Sequence, residues 1–192
     1  MMVSTHLVTG FFAGAGLVNF LDLNGLEAVS LLLGSIAGAL LPDLDHPKSW
    51  LGQRIPLVSV PIAAVFGHRG ITHSLLAVVG LVLALWHGLV QWHLLETRWG
   101  LGAVGVAAGY LSHIAGDFVT HGGVPLLWPL KRRFSSPLTF LTGGAFESLL
   151  KFALALGAAG VLVRHFAPWA LDHALVLLQS LGSLAAEMLA AV

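Results

Sequence analysis

Gly109-Tyr-Leu-Ser-His-Ile-Ala-Gly-Asp-Phe-Val-Thr-His121 closes an apolar run that begins near Leu101. Within it His113, Asp117 and His121 recur at steps of four. On a helix of ~3.6 residues per turn that spacing places all three along one face. Ionisable side chains in a hydrocarbon-length helix are costly unless something pairs with them or binds them. The stretch therefore predicts a membrane helix with one face given over to a ligand. An imidazole nitrogen and a carboxylate oxygen at i,i+4 offer a divalent metal two donors from one rigid backbone. The plainer reading of His113 and Asp117 is a buried hydrogen bond that pins helices together. For His121 it is a solvated helix end.

The rest of the chain has the composition of a membrane protein. Of its 192 residues 57% are hydrophobic and 9% charged, against roughly 25% charged in an average soluble protein. Mean hydropathy is +0.89. Zero net charge removes any bulk electrostatic case for nucleic acid as a partner. The absence of cysteine excludes disulfides, thiolate metal sites and cysteine nucleophiles. Ten histidines against nine lysines and arginines direct attention to metal sites instead.

Working outward, the sequence divides into apolar segments. Leu7 to Leu21 and Leu26 to Leu41 read as two helices, with Gly10/Gly14 and Gly34/Gly38 spaced for close helix contact. Pro42 stops the second. Ile55 to Phe66 is too short to span and carries Pro56 and Pro61, which suits a re-entrant or interfacial segment. Further spans are expected from Leu75 to about Leu95, Leu101 to His121 and Leu149 to Phe166. Trp169 to Val192 is either a sixth span or an amphipathic tail. The fold class is thus an all-α polytopic transmembrane bundle of five to six apolar helices plus one short segment. It forms a single domain over residues 1–192, with variable C-terminal helices from about residue 150.

Alternating sides from the N-terminus collects Lys48, Arg54, Arg69, Lys131, Arg132, Arg133 and Lys151 on one face, leaving Arg98 and Arg164 on the other. By the positive-inside rule the first face is cytoplasmic. His6, Asp43, Asp45, His46, His68, His73, His113, Asp117, His121 and Glu147 fall on that same face. Asp43 and Asp45 follow a helix end, where exposed carbonyls disfavour carboxylates, so a cation is expected to hold them; an ordinary solvated turn is the alternative. His68 and His73 flank Arg69, whose guanidinium suits a phosphoryl group or, more simply, anchors the loop at the membrane. Glu147 at the start of a helix is either a dipole-favoured cap or a metal ligand or general base. His87, His93, His165 and His173 belong to the far side and read as interfacial or packing residues. Zinc-protease, serine-hydrolase and phosphate-loop signatures are absent.

Taken in order, several motifs resemble one family. They are His6, Leu41-Pro-Asp-Leu-Asp-His-Pro-Lys-Ser-Trp-Leu-Gly-Gln-Arg54, Phe66-Gly-His-Arg-Gly-Ile-Thr-His-Ser-Leu75, Gly109 through Asp117, and Gly123-Val-Pro-Leu-Leu-Trp-Pro129. The set is similar to the bacterial YdjM-like inner-membrane proteins, described as LexA-regulated, membrane-bound, metal-dependent hydrolases. The resemblance covers about the first three-quarters of the chain. It implies a multi-pass inner-membrane hydrolase and a link to the SOS response, and names no substrate. A looser similarity, to the zinc-dependent phospholipase C and single-strand zinc nuclease superfamily, maps onto His6, Asp43 or Asp45, His68, His113 and Asp117. It departs at Met1, where that superfamily has a ligating tryptophan, and at its second His-x-x-x-Glu/Asp pair, of which only Glu147 remains.

The expected activity is hydrolysis of a membrane-lipid phosphoester at the cytoplasmic interface, of phospholipase C or lipid phosphatase type. Expected metal ligands are His6, Asp43, Asp45, His68, His73, His113 and Asp117; Arg69, Asp45 and Glu147 are the expected catalytic groups. Imidazole and carboxylate without sulfur suit one or two zinc ions best, with manganese or iron as further options. The alternative is a metal-binding membrane protein or transporter without hydrolytic activity.

Overall fold

The computed structural model describes residues 1–67, 69–130 and 132–190. The described chain forms seven α-helices: α1 (Val3–Phe20), α2 (Gly25–Gly38), α3 (Pro56–Phe66), α4 (Leu75–Gln91), α5 (Arg98–Phe118), α6 (Ala145–Phe166) and α7 (Pro168–Ala190). Short 3-10 turns cover Pro42–Asp45 and Ile71–His73. The only β-type pairings among the described residues are isolated bridges, Thr120 with Phe140 and Val124 with Phe134. Val3–Phe20, Gly25–Asp45 and Ala145–Phe166 are long and apolar enough to cross a membrane. The expected all-helical bundle is therefore present.

Several helix ends differ from the expected ones by a few residues, and the end of α2 differs for a clear local reason. The second helix ends at Gly38 rather than Leu41. Pro42 lacks an N–H, and its ring crowds the carbonyl four residues back, which is Gly38. The chain tightens instead, with Leu40 and Leu41 donating to Ala37 and Gly38 at i−3, and continues as the 3-10 turn that carries Asp43 and Asp45. His73 also sits on a 3-10 turn, Ile71–His73, just before α4. Ser74 takes the N-cap of α4, its hydroxyl accepting from Ala77 N.

The centre of the bundle is the contact of α2 with α5, flanked by α1, which α6 covers. Backbones meet there because glycines of each helix rest against the backbone of the other. A Cβ on Gly38 would fall 2.0 Å from Val106 O, and one on Gly109 1.9 Å from Ser35 O. This is the close approach that small residues permit between membrane helices.

Burial is inverted relative to a soluble protein. Fully buried side chains include His6, His73, His113, Glu147, Asp45, Asp117, Thr5 and Thr120. Large apolar residues such as Phe20, Leu33, Leu83, Phe152 and Leu156 point outward. Hydrocarbon is the solvent for such a surface. Trp86, Trp92 and Trp99 are exposed around the end of α4 and the start of α5, where an aromatic belt belongs. The buried polar groups gather at the opposite end, where α1, α4 and α6 begin and α2 and α5 finish.

Candidate metal centre

Asp117 is the hub. It is the penultimate residue of α5, and five groups converge on its carboxylate. On Oδ1 are the Met1 ammonium and His6 Nε2 at 3.4 Å. On Oδ2 are His73 Nε2 at 3.7 Å, His113 Nε2 at 3.9 Å and Arg69 Nη2 at 2.8 Å. The arginine contact is a charge contact that falls outside hydrogen-bond geometry. Asp43 joins from the turn after α2, its Oδ1 3.8 Å from His113 Nε2. Two groups of three thus offer ligand atoms within 4.8 Å of one another: His73, His113 and Asp117, all buried, and His6, Asp43 and His113.

The imidazoles are oriented by what holds their other edges. His113 Nδ1 donates to Ala39 O at 2.7 Å, which leaves Nε2 as the nitrogen turned towards the carboxylates. That carbonyl is within reach because α2 and α5 touch through Gly38 and Gly109. His73 Nδ1 contacts Asp45 Oδ2 at 3.3 Å and Thr72 Oγ1 at 3.0 Å, so its Nε2 also faces Asp117. A carboxylate or carbonyl behind a histidine fixes the tautomer and strengthens the ligand. His6 stacks on His113 with ring centroids 3.6 Å apart and planes 7° apart.

These residues fit a divalent cation. His113 Nε2 and His6 Nδ1 are buried and have no hydrogen-bond partner. Buried polar atoms are normally satisfied, and a metal held by either group would satisfy His113 Nε2. Two ligands on a tetrahedral zinc lie roughly 3.4 Å apart at the usual bond lengths, and the separations of 3.7, 3.8 and 3.9 Å are near that value. With Nδ1 committed to Ala39, His113 has one nitrogen to give. The two groups are therefore alternative sets for one ion, not two independent sites.

The expected site residues divide accordingly. His6, Asp43, His73, His113 and Asp117 come together. Asp45 supports them from behind: its Oδ2 accepts from Thr72 Oγ1 and from Gly70 N at 3.3 Å as well as meeting His73, so it fixes the loop carrying Arg69. Glu147 is in neither group of three. Its oxygens accept from Met2 N at 2.7 Å and Gly143 N at 2.6 Å, tying the first residues of the chain to the head of α6. His68 lies outside the described residues. His121 is exposed, and its backbone N–H bonds Phe140 O.

Tyr110 is a supporting residue that the sequence reading passed over. Its hydroxyl donates to Thr72 O, holding the same 3-10 turn that Asp45 holds. Its spacing was the available signal, since residues 110, 113 and 117 share one helix face. The Ala39 carbonyl had no such signal, because any residue supplies one.

Arg69 has a left-handed backbone, φ +56°, a conformation that costs a non-glycine residue about 1 kcal/mol. Asp45 and Tyr110 hold that loop in place. Beside it is a cavity of about 610 Å³ lined by Met1, Asp43, His46, Lys48, Trp50 and Arg69 among others. Asp43 and Arg69 are each 17% exposed, so they form the boundary between this cavity and the buried histidines.

The family model described as YdjM inner membrane protein matches residues 1–190. This chain belongs to the YdjM family of inner membrane proteins. Inner membrane protein YdjM of Escherichia coli (strain K12) is 49% identical over 107 residues, or 54% of this chain and 52% of that protein. The protein of the same name from Shigella flexneri gives the same figures. The match spans about half the length of these curated relatives. The protein YvsG of Bacillus subtilis (strain 168) is 28% identical over 158 residues, covering 82% of this chain and 92% of its own length. No solved structure matches. This YdjM family member is thus a membrane protein with buried His/Asp groups able to bind a metal ion.

Proposed function

We propose that the protein is a membrane-bound, metal-dependent hydrolase acting on a phosphoester of a membrane lipid, with its site at the cytoplasmic interface. The observation that carries this reading is the buried convergence of His73, His113 and Asp117 beside Arg69 and next to an open cavity. In this reading those three residues hold one divalent ion. The donor set suits zinc best, then manganese or iron. Such an ion, held there, would lower the pKa of a water and offset charge on a phosphoryl oxygen. Asp43, at the cavity boundary, accepts the proton of the attacking water. Arg69 stabilises the negative charge that builds on the phosphoryl group. Water adds to phosphorus, one P–O bond breaks, and the alcohol leaves with the proton that Asp43 took from the water. Asp45 and Glu147, expected from sequence as catalytic groups, act in this scheme by positioning the Arg69 loop and the first residues of the chain.

Transport without chemistry is less well supported. A carrier needs polar groups leading to both faces. The far half of the bundle instead has an apolar cavity of about 620 Å³ lined by residues such as Leu33, Leu85, Leu89 and Val106. The test is phospholipid turnover by zinc-loaded protein in mixed micelles. The proposal expects release of a phosphorylated headgroup or free phosphate, absent in Asp43→Asn and His113→Ala. Metal-loaded wild type that cleaves none of the major inner-membrane phospholipids would overturn it.

A further inference from the structure

The motif Gly123-Val-Pro-Leu-Leu-Trp-Pro129 has no part in the chemistry above, yet it is tightly placed. Val124 and Phe134 exchange both backbone hydrogen bonds at 2.9 Å, closing the loop between them. Leu75 N donates to Leu126 O at 2.9 Å, fastening the loop to the start of α4. The segment is thereby held against the end of α3, and a cavity of about 350 Å³ lies between them. Arg69, Arg133, Phe66 and Trp128 line it.

Two of the lining residues, Arg69 and Arg133, bring their guanidinium groups to one neighbouring backbone residue. Arg133 Nη1 donates to Gly122 O at 3.1 Å. A Cβ on Gly122 would lie 2.3 Å from Arg69 Nη1, so the arginine rests directly on that glycine. Among the described residues the carboxylate paired with Arg69 is Asp117, on the side of the metal centre, and Arg133 bonds a backbone carbonyl. Net positive charge therefore faces the cavity, and paired guanidinium groups suit phosphate oxygens. The remaining walls are apolar. Phe66 and Trp128 meet edge to face at 5.9 Å, and Val65 and Leu130 at the rim are 72% and 59% exposed. α3 continues that rim with exposed Leu57 and Val60.

We propose that this cavity binds the anionic headgroup of a membrane phospholipid, its phosphate between Arg69 and Arg133 and its acyl chains leaving past Val65 and Leu130 along α3. A free phosphate ion would use the arginines but not the apolar rim. The proposal extends the hydrolase reading, because Arg69 lines both this cavity and the one beside Asp43. It assigns Arg133 as a lipid-binding residue in a cavity that adjoins the metal centre through Arg69.

Binding can be read without turnover by using the His113→Ala protein. Native mass spectrometry in detergent would follow its retention of phosphatidylglycerol, of diacylglycerol, which has the same chains without phosphate, and of inorganic phosphate. The expected result is retention of phosphatidylglycerol at least ten-fold above both others, lost in Arg133→Gln and recovered in Arg133→Lys. Recovery in the lysine variant separates lost charge from lost fold. Equal retention of diacylglycerol would overturn the proposal, as would phosphate binding as tight as the lipid's or full retention in Arg133→Gln. Failure of hydrolysis with this lipid pattern intact would count against the hydrolase reading alone.

Discussion

His113 receives its orientation from a carbonyl on another helix, and that dependence sorts the site residues into two kinds. A ligand removed takes the metal with it, whereas a supporting residue removed weakens the metal's hold. Asp45→Asn keeps the size of the side chain behind His73 but removes its charge, and should lower metal affinity about 10- to 100-fold. Titration against a competing chelator would measure this, and an unchanged affinity would remove Asp45 from the support of the site. Glu147→Gln should behave differently again. Its carboxylate bonds two backbone amides, so its loss should destabilise the fold by about 2 kcal/mol. Thermal melting in detergent should show that loss, while the metal content of the folded fraction stays at the wild-type level. Sequence spacing revealed His113 and Asp117 because helical period alone brings them together. It could not separate Asp43 from Asp45, whose difference is that one faces a cavity and the other lies beneath a loop.

At the scale of elements, the metal centre depends on α2 and α5 being close enough for a carbonyl to reach an imidazole. Gly38→Val should prevent that approach, since its Cβ would overlap Val106 O. Overpacking of this kind costs about 1–3 kcal/mol or more. The expected outcome is a lower yield of folded protein and loss of metal from what folds. Gly160→Ala is the control, because a Cβ there meets nothing within 4 Å; equal behaviour of the two variants would contradict the packing account. The glycine spacing within α2 was legible in sequence through Gly34 and Gly38. The partner glycines of α5, Gly105 and Gly109, lie four apart as well, but only the fold shows which helix they meet. Helix ends were less legible, because Pro42 acts through the carbonyl four residues back and moves the end of α2 to Gly38.

At the scale of the whole molecule, the inversion of burial suits a membrane protein, and the polar groups gather at one end of its bundle. The sequence predicted this gathering from alternation of segments alone, which works because a membrane bundle has only two ends. Sidedness is directly testable, since the chain has no cysteine to interfere. Lys48→Cys should be labelled by a membrane-impermeant maleimide only from the cytoplasmic side, and Arg98→Cys only from the other; the reverse pattern would place the site outside. The central claim is that the cluster around Asp117 is a metal centre. Elemental analysis of protein purified without metal affinity tags tests it most directly. The account predicts close to one zinc, manganese or iron per wild-type chain and almost none in the His113→Ala and Asp117→Ala proteins. Folded wild type with no stoichiometric metal, after supplementation with each of the three ions, would contradict it.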